Sequence, residues 1–172
     1  YSRRWKEILG YAEHEIGDDG DEWLRLIHPD DVTRVRAENQ ACLDRRADNF
    51  ICEFRMRTKD GRWLWILDRG KVVLRSNTGE ALRMIGTHTD ISARKAGEAR
   101  EAARANALMQ IATHQPLPAI LDSIVRDAES RCGWICSILL VDARGTALTR
   151  GAAPHVPDFI QGVTEGLPIA GP

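Results

Sequence analysis

Carboxylates, histidines and cysteines are the residues here whose spacing could support chemistry. Asp30, Asp31 and Glu38 could act as paired carboxylates for acid–base work. Their placement in the first turns of a helix has a simpler reading, compensation of the positive end of its dipole. His14, His28, His88, His114 and His155 are scattered and make neither HExxH nor a cysteine cluster. His28, beside Pro29, reads as a helix-start residue rather than a haem or metal ligand. His88 shares a strand face with Met84 and could point into a pocket; a satisfied core or surface position is the plainer reading. Cys132 and Cys136 stand four apart across a helix end, where metal or disulfide chemistry is the less favoured alternative. "IGDDGDE" is too acidic to cradle phosphate. Nothing assembles a nucleophile, a base and an oxyanion donor. No catalysis is therefore expected within these residues, and no catalytic or metal-binding residue is assigned.

The elements that must position these residues follow from periodicity. "YSRRWKEILGY" reads as a short helix, capped by Ser2, ended by Gly10, with Trp5, Ile8 and Leu9 on one side. "AEHEIGDDGDEW" is acidic and glycine-broken, hence a loop. A helix then starts at Pro29, with Val32, Val35, Asn39, Cys42, Leu43 and Arg46 at helical spacing. From Asn49 the period changes to two. Phe50, Cys52, Phe54 and Met56 alternate with Ile51, Glu53, Arg55 and Arg57, which predicts a strand with one buried face. Arg55 and Arg57 are expected solvated, or paired with acids such as Glu53.

Asp60-Gly61 signals a hairpin. A two-residue turn would pair Lys59 with Arg62, set Met56 opposite Trp65 and set Phe54 opposite Leu67. All four would then face one core. "KVVLRS" continues the second strand, "NTGE" turns, and "ALRMIGTHTDIS" is a third strand. From Ala93 the chain is rich in alanine, arginine and glutamate, with bulky apolar residues only near Leu108, Met109 and Ile111. Such a helix bridges domains or pairs with its own copy through a narrow seam at Ala96, Ala99, Ala103 and Ala107. After Pro116 and Pro118, Leu117, Ile120, Leu121, Ile124, Val125 and Ala128 trace a strongly amphipathic helix ended by Cys132-Gly133. "WICSILLVD" reads as a buried strand, "ARG" as a turn and "TALTRG" as another strand.

With 43% hydrophobic residues among 172 the chain can bury a core. The 24 basic and 25 acidic side chains balance to a formal charge of -1. That gives no general attraction to nucleic acid or an acidic membrane. No apolar run approaches the roughly 20 residues that span a bilayer, and no secretory signal opens the chain. The four cysteines, including Cys42 and Cys52, lack a CxxC pair and read as reduced thiols of a cytoplasmic protein.

"WKEILGY", "WLRLIHPDDV", "EFRMRTKDGRWLWILDRG" and "MIGTHTDISARK" together resemble a PAS domain with its C-terminal PAC segment. "SILLVDARGTAL" followed by "GAAPHVPDFIQGVTEGLPIAGP" is similar to the first half of a GAF domain. The expected organisation is a sensor domain at 1–92, a helical linker at 93–115 and a partial GAF unit at 116–172. The fold class is α+β, an antiparallel sheet flanked by helices. The resemblance implies that two opening strands are missing, which would leave strand 81–91 with an unpaired edge.

It also implies a cavity, for which the candidates are Val35, Asn39, Cys42, Phe54, Met56, Trp65, Leu67, Met84 and His88. Asp90, Ile91 and Ser92 would couple that core to the outgoing helix, Asp90 as a cap of about 1 kcal/mol. Such modules sit in bacterial sensor histidine kinases and cyclic-di-GMP enzymes. The implied function is to receive a signal and relay it through the linker to the GAF unit and an output domain in the same chain. Expected partners are a second copy, joined through the linker helix, and a small-molecule ligand; neither nucleic acid nor direct membrane contact is expected. The cofactor is unknown. The reactive-cysteine flavin motif has no counterpart, "NQACLD" being a poor substitute, so haem or flavin is less favoured than none. The alternatives are a ligand-free dimerisation scaffold and a haem-based gas sensor.

Overall fold

The computed structural model describes residues 3–17, 20–164 and 166–169. The chain divides into two compact units, Tyr1–Gly97 and Glu98–Pro172. The first holds helices α1 (Arg3–Ile8), α2 (Gly20–Leu26) and α3 (Pro29–Leu43) and strands β1 (Phe50–Arg57), β2 (Trp63–Arg75) and β3 (Ala81–Asp90). Helix α4 (Ser92–Ala112) crosses the boundary. The second unit adds α5 (Leu117–Cys132), β4 (Ile138–Val141), β5 (Leu148–Ala152) and α6 (Asp158–Thr164). The fold is mixed α+β, an antiparallel three-stranded sheet in the order β1-β2-β3 and a separate two-stranded sheet. Among the described residues β3 has no strand on its outer edge.

Trp5 on α1 and Leu9, just past its last residue, are buried, and Gly10 turns the chain away with a φ of +80°, which suits a residue without a Cβ. Ser2, expected to cap it, lies outside the described residues. The acidic segment read as a loop is helical from Gly20 onward. Trp23 and Ile27, one turn apart, are both buried, and Trp23 meets Phe54 edge-on at 5.9 Å. This packing overrides the local glycine and aspartate signals. Helix α3 begins as expected at Pro29, with His28 as its cap: His28 Nδ1 accepts from Asp30 N at 3.3 Å. Asp31 does more than complement a dipole. Its carboxylate accepts from Arg55 N at 3.0 Å and Arg55 Nε at 2.9 Å, which ties α3 to β1.

The alternation of β1 is as expected, with Phe50, Cys52, Phe54 and Met56 all buried. The hairpin register is not. Thr58 N donates to Arg62 O at 2.8 Å, Gly61 N donates to Thr58 O at 2.9 Å, and Gly61 takes φ +86°. The loop therefore has three residues, with glycine in the left-handed position. Phe54 faces Ile66 and Met56 faces Leu64, whereas Trp65 pairs with Arg55 and Leu67 with Glu53. One extra loop residue moves every β2 side chain to the other face. Trp65 and Leu67 thus lie on the face opposite Phe54 and Met56, half-buried, and Ile66 and Asp68 take the inner positions.

In the second unit, Gly133 ends α5 in the left-handed conformation at φ +70°. Ile120 and Val125 are buried, as the amphipathic spacing predicts. The strand expected over "WICSILLVD" is shorter, Ile138–Val141, and Trp134 and Ile135 are 76% and 62% exposed. They lie in the reversal after Gly133, before the β4–β5 ladder starts. Asp142 builds the following turn by accepting from Thr146 N at 2.7 Å and Ala147 N at 3.1 Å.

Candidate functional site

A cavity of about 1160 Å³ lies on the inner face of the three-stranded sheet, against α1, α2 and α3. Part of its wall is bare because Gly70 and Gly86 face each other across β2 and β3. A Cβ on Gly70 would collide with Met84 Cε, and one on Gly86 would stand 2.7 Å from Arg69 O. Trp5, Ile8, Trp23, Phe50 and Met84 supply apolar lining.

The polar groups converge on one pair. His88 and Asp68 face each other in the β2–β3 ladder and place Nε2 3.0 Å from Oδ2. Their side chains are 14% and 9% exposed. His88 Nε2 nonetheless lacks an aligned hydrogen bond. Trp5 lies 6.0 Å from the imidazole and Phe54 meets it edge-on at 6.5 Å. Trp23 Nε1 is buried in the same wall with no hydrogen-bond partner among the described residues. Buried donors left unmatched cost free energy that a bound acceptor recovers. Arg4, Arg36 and Arg83 also line the cavity and form no ion pair with a described residue. Among the described residues no three His, Cys, Asp or Glu side chains are arranged to hold a metal ion.

Of the cavity candidates, Asn39, Met84 and His88 line this space. Val35, Cys42, Phe54 and Met56 are buried in the core without lining it. Trp65 and Leu67 face away for the register reason given above. Asp68, Trp5 and Trp23 were missed. Asp68 reads as an ordinary polar residue until the register places it inside, and Trp5 and Trp23 lie on short helices remote in sequence from the strands.

The opposite sheet face carries the junction with α4. Ser92 N donates to Asp90 Oδ1 at 2.8 Å. Trp65 N donates to Ser92 Oγ at 3.0 Å, and Ile91 N donates to Trp65 O at 2.9 Å. Ile91 is buried. Glu53 binds Lys95 at 2.7 Å and Arg94 at 2.6 Å, contacts that hold its carboxyl below the usual range. Trp65 lies between cations, with Lys95 Nζ 5.0 Å and Arg55 Cζ 5.6 Å from its ring. Asp90, Ile91 and Ser92 are thus brought together with Trp65 and Glu53. His88, inside the cavity, is two residues from Asp90 on the same strand.

Residues 1–88, just over half of the chain, match the family described as the PAS fold. The methyl sulfide methyltransferase-associated sensor of Methanosarcina acetivorans is 28% identical over 162 residues, 94% of this chain and 16% of that protein. Hybrid signal transduction histidine kinase A of Dictyostelium discoideum is 40% identical over 72 residues, 41% of this chain and 3% of its own length. The chain therefore spans only a small part of these relatives. A solved structure, a sensory box histidine kinase/response regulator from Burkholderia thailandensis, superposes with a TM-score of 0.55 at 38% identity. That match covers 63% of this chain and 79% of the other.

Proposed function

The chain belongs to the PAS family through residues 1–88, and from that premise we propose that it is a sensory module whose cavity takes a small anionic ligand. One observation carries this reading. The cavity joins apolar walls to the His88–Asp68 pair, the unmatched Trp23 Nε1 and three arginines without acidic partners among the described residues. An apolar body with a carboxylate fits that lining.

Occupancy would be relayed along β3 to Asp90–Ser92 and into α4. From there it would pass to the segment at 116–172, read as the first part of a GAF domain, and to an output domain such as a histidine kinase or cyclic-di-GMP enzyme. Titrating the purified chain with a panel of aromatic and aliphatic carboxylates while following its melting temperature tests the reading. A saturable rise, reduced at least about tenfold in affinity by His88→Ala, is expected. Strong visible absorption would point instead to bound haem or flavin.

A second reading, a ligand-free dimerisation scaffold, is favoured by α4 itself. The helix buries none of its described side chains, and Leu108, Met109 and Ile111 are more than half exposed. A seam along Ala96, Ala99, Ala103 and Ala107 would join two copies. No melting response to any carboxylate, together with a dimer in light scattering, would select this reading.

A further inference from the structure

Cys132 closes α5 and Cys136 precedes β4. The left-handed Gly133 turns the chain back between them and brings their Sγ atoms to 3.8 Å. Both thiols converge on a single acceptor, Trp134 O, at 3.7 Å each. Glu129, on the last turns of α5, holds the second cysteine in place. Its Oε1 accepts from Cys136 N at 3.0 Å, and its Oε2 meets His155 Nδ1 at 2.5 Å.

The two thiols differ. Cys132 is exposed and Cys136 half-buried. The Cys136 thiol is pushed up by burial, then by Cys132 and the Glu129 carboxylate. The other two cysteines are sealed: Cys42 is 1% exposed and Cys52 3%. Burial, with Glu38 beside it, pushes the Cys52 thiol up to about 12.

We propose that Cys132 and Cys136 form a reversible dithiol–disulfide site that exchanges with low-molecular-weight disulfides. In the first step the Cys132 thiolate attacks one sulfur of the small disulfide. A mixed disulfide forms and one small thiol leaves with a proton. In the second step the Cys136 thiolate attacks the Cys132 sulfur and expels the second small thiol. The two cysteines lose two electrons and two protons, and the small disulfide gains both. Closing the bond brings the sulfurs from 3.8 Å to about 2.05 Å, within reach of side-chain rotation at the exposed Cys132. Exposure assigns the attack to Cys132, and the backbone grip of Glu129 keeps Cys136 waiting as the resolving thiol.

The test uses the full chain, native, with oxidised glutathione as the probe, followed by acid quenching, intact mass and peptide mapping. The expected product has lost two hydrogens, carries a 132–136 link, regains its thiols with dithiothreitol, and leaves Cys42 and Cys52 free. Cys136→Ser should retain glutathione on Cys132. Cys132→Ser should acquire glutathione on Cys136 at least about tenfold more slowly. Stable adducts on both wild-type cysteines, a link to another cysteine, or disulfide-joined dimers would overturn the proposal. Should a serine variant misfold, the wild-type peptide map decides alone.

Discussion

Phe54 has no exposed surface and packs edge-on against Trp23, so removing its ring opens a cavity in the centre of the first unit. Phe54→Ala should lower the unfolding free energy by about 3–5 kcal/mol. Trp65 is the larger side chain, yet it lies half-buried on the other face between Arg55 and Lys95. Trp65→Ala should cost only about 1–2 kcal/mol. Urea denaturation of both variants checks the ordering, and equal losses would place Trp65 back in the core. Asp31 yields a pH prediction. Burial alone would push its carboxyl up, but the side-chain and backbone hydrogen bonds from Arg55 outweigh this and hold it below the usual range. A carboxyl lowered in the folded state contributes stability above its ordinary value of about 3.9, lost as pH falls through the folded value. Stability should therefore fall on acidification below about pH 4, and less steeply in Asp31→Asn. Parallel acid slopes in the two proteins would show that the Arg55 contact contributes nothing.

Among the elements, α4 depends most on its first turn, because none of its described side chains is buried. A helix without a core face is marginal by itself. Its start is held by the Asp90 carboxylate on Ser92 N and by the Trp65–Ser92 contact. Asp90→Ala should remove about 1 kcal/mol there. Amide hydrogen exchange over residues 92–97 should then quicken about fivefold, with exchange in β1 and β2 unchanged. Unchanged protection at 92–97 would make Asp90 an ordinary surface residue. Glu53, gripping Arg94 and Lys95, is a second clamp on the same turn.

At the scale of the whole molecule, the chain has two cores. One is built on Phe54, Met56, Ile66 and Val35, the other on Ile120 and Val125. The division falls inside α4, between Gly97 and Glu98. Calorimetry should therefore resolve two unfolding transitions. Phe54→Ala should shift one of them and Val125→Ala the other. A single transition moved equally by both variants would mean that the units fold as one. Among the described residues no helix is long and apolar enough to cross a membrane.

Local sequence signals by themselves determined the inward face of β1, the start of α3 at Pro29 and the amphipathic helix ended by Gly133. Each is a local matter, set by side-chain alternation, a fixed proline φ or a glycine free to turn left-handed. The Asp90–Ile91–Ser92 junction was also legible, because a sheet there gives way to a helix with little apolar surface. Tertiary structure alone decided the rest. The Asp60-Gly61 signal fits a loop of two residues or of three, and only packing selects between them. That one residue put Asp68 inside and Trp65 outside. The helix at Gly20–Leu26 exists because Trp23 has Phe54 to pack on. The cavity joins Trp5, Asp68 and His88 from separate elements, and no local pattern encodes contacts between segments so far apart in the chain.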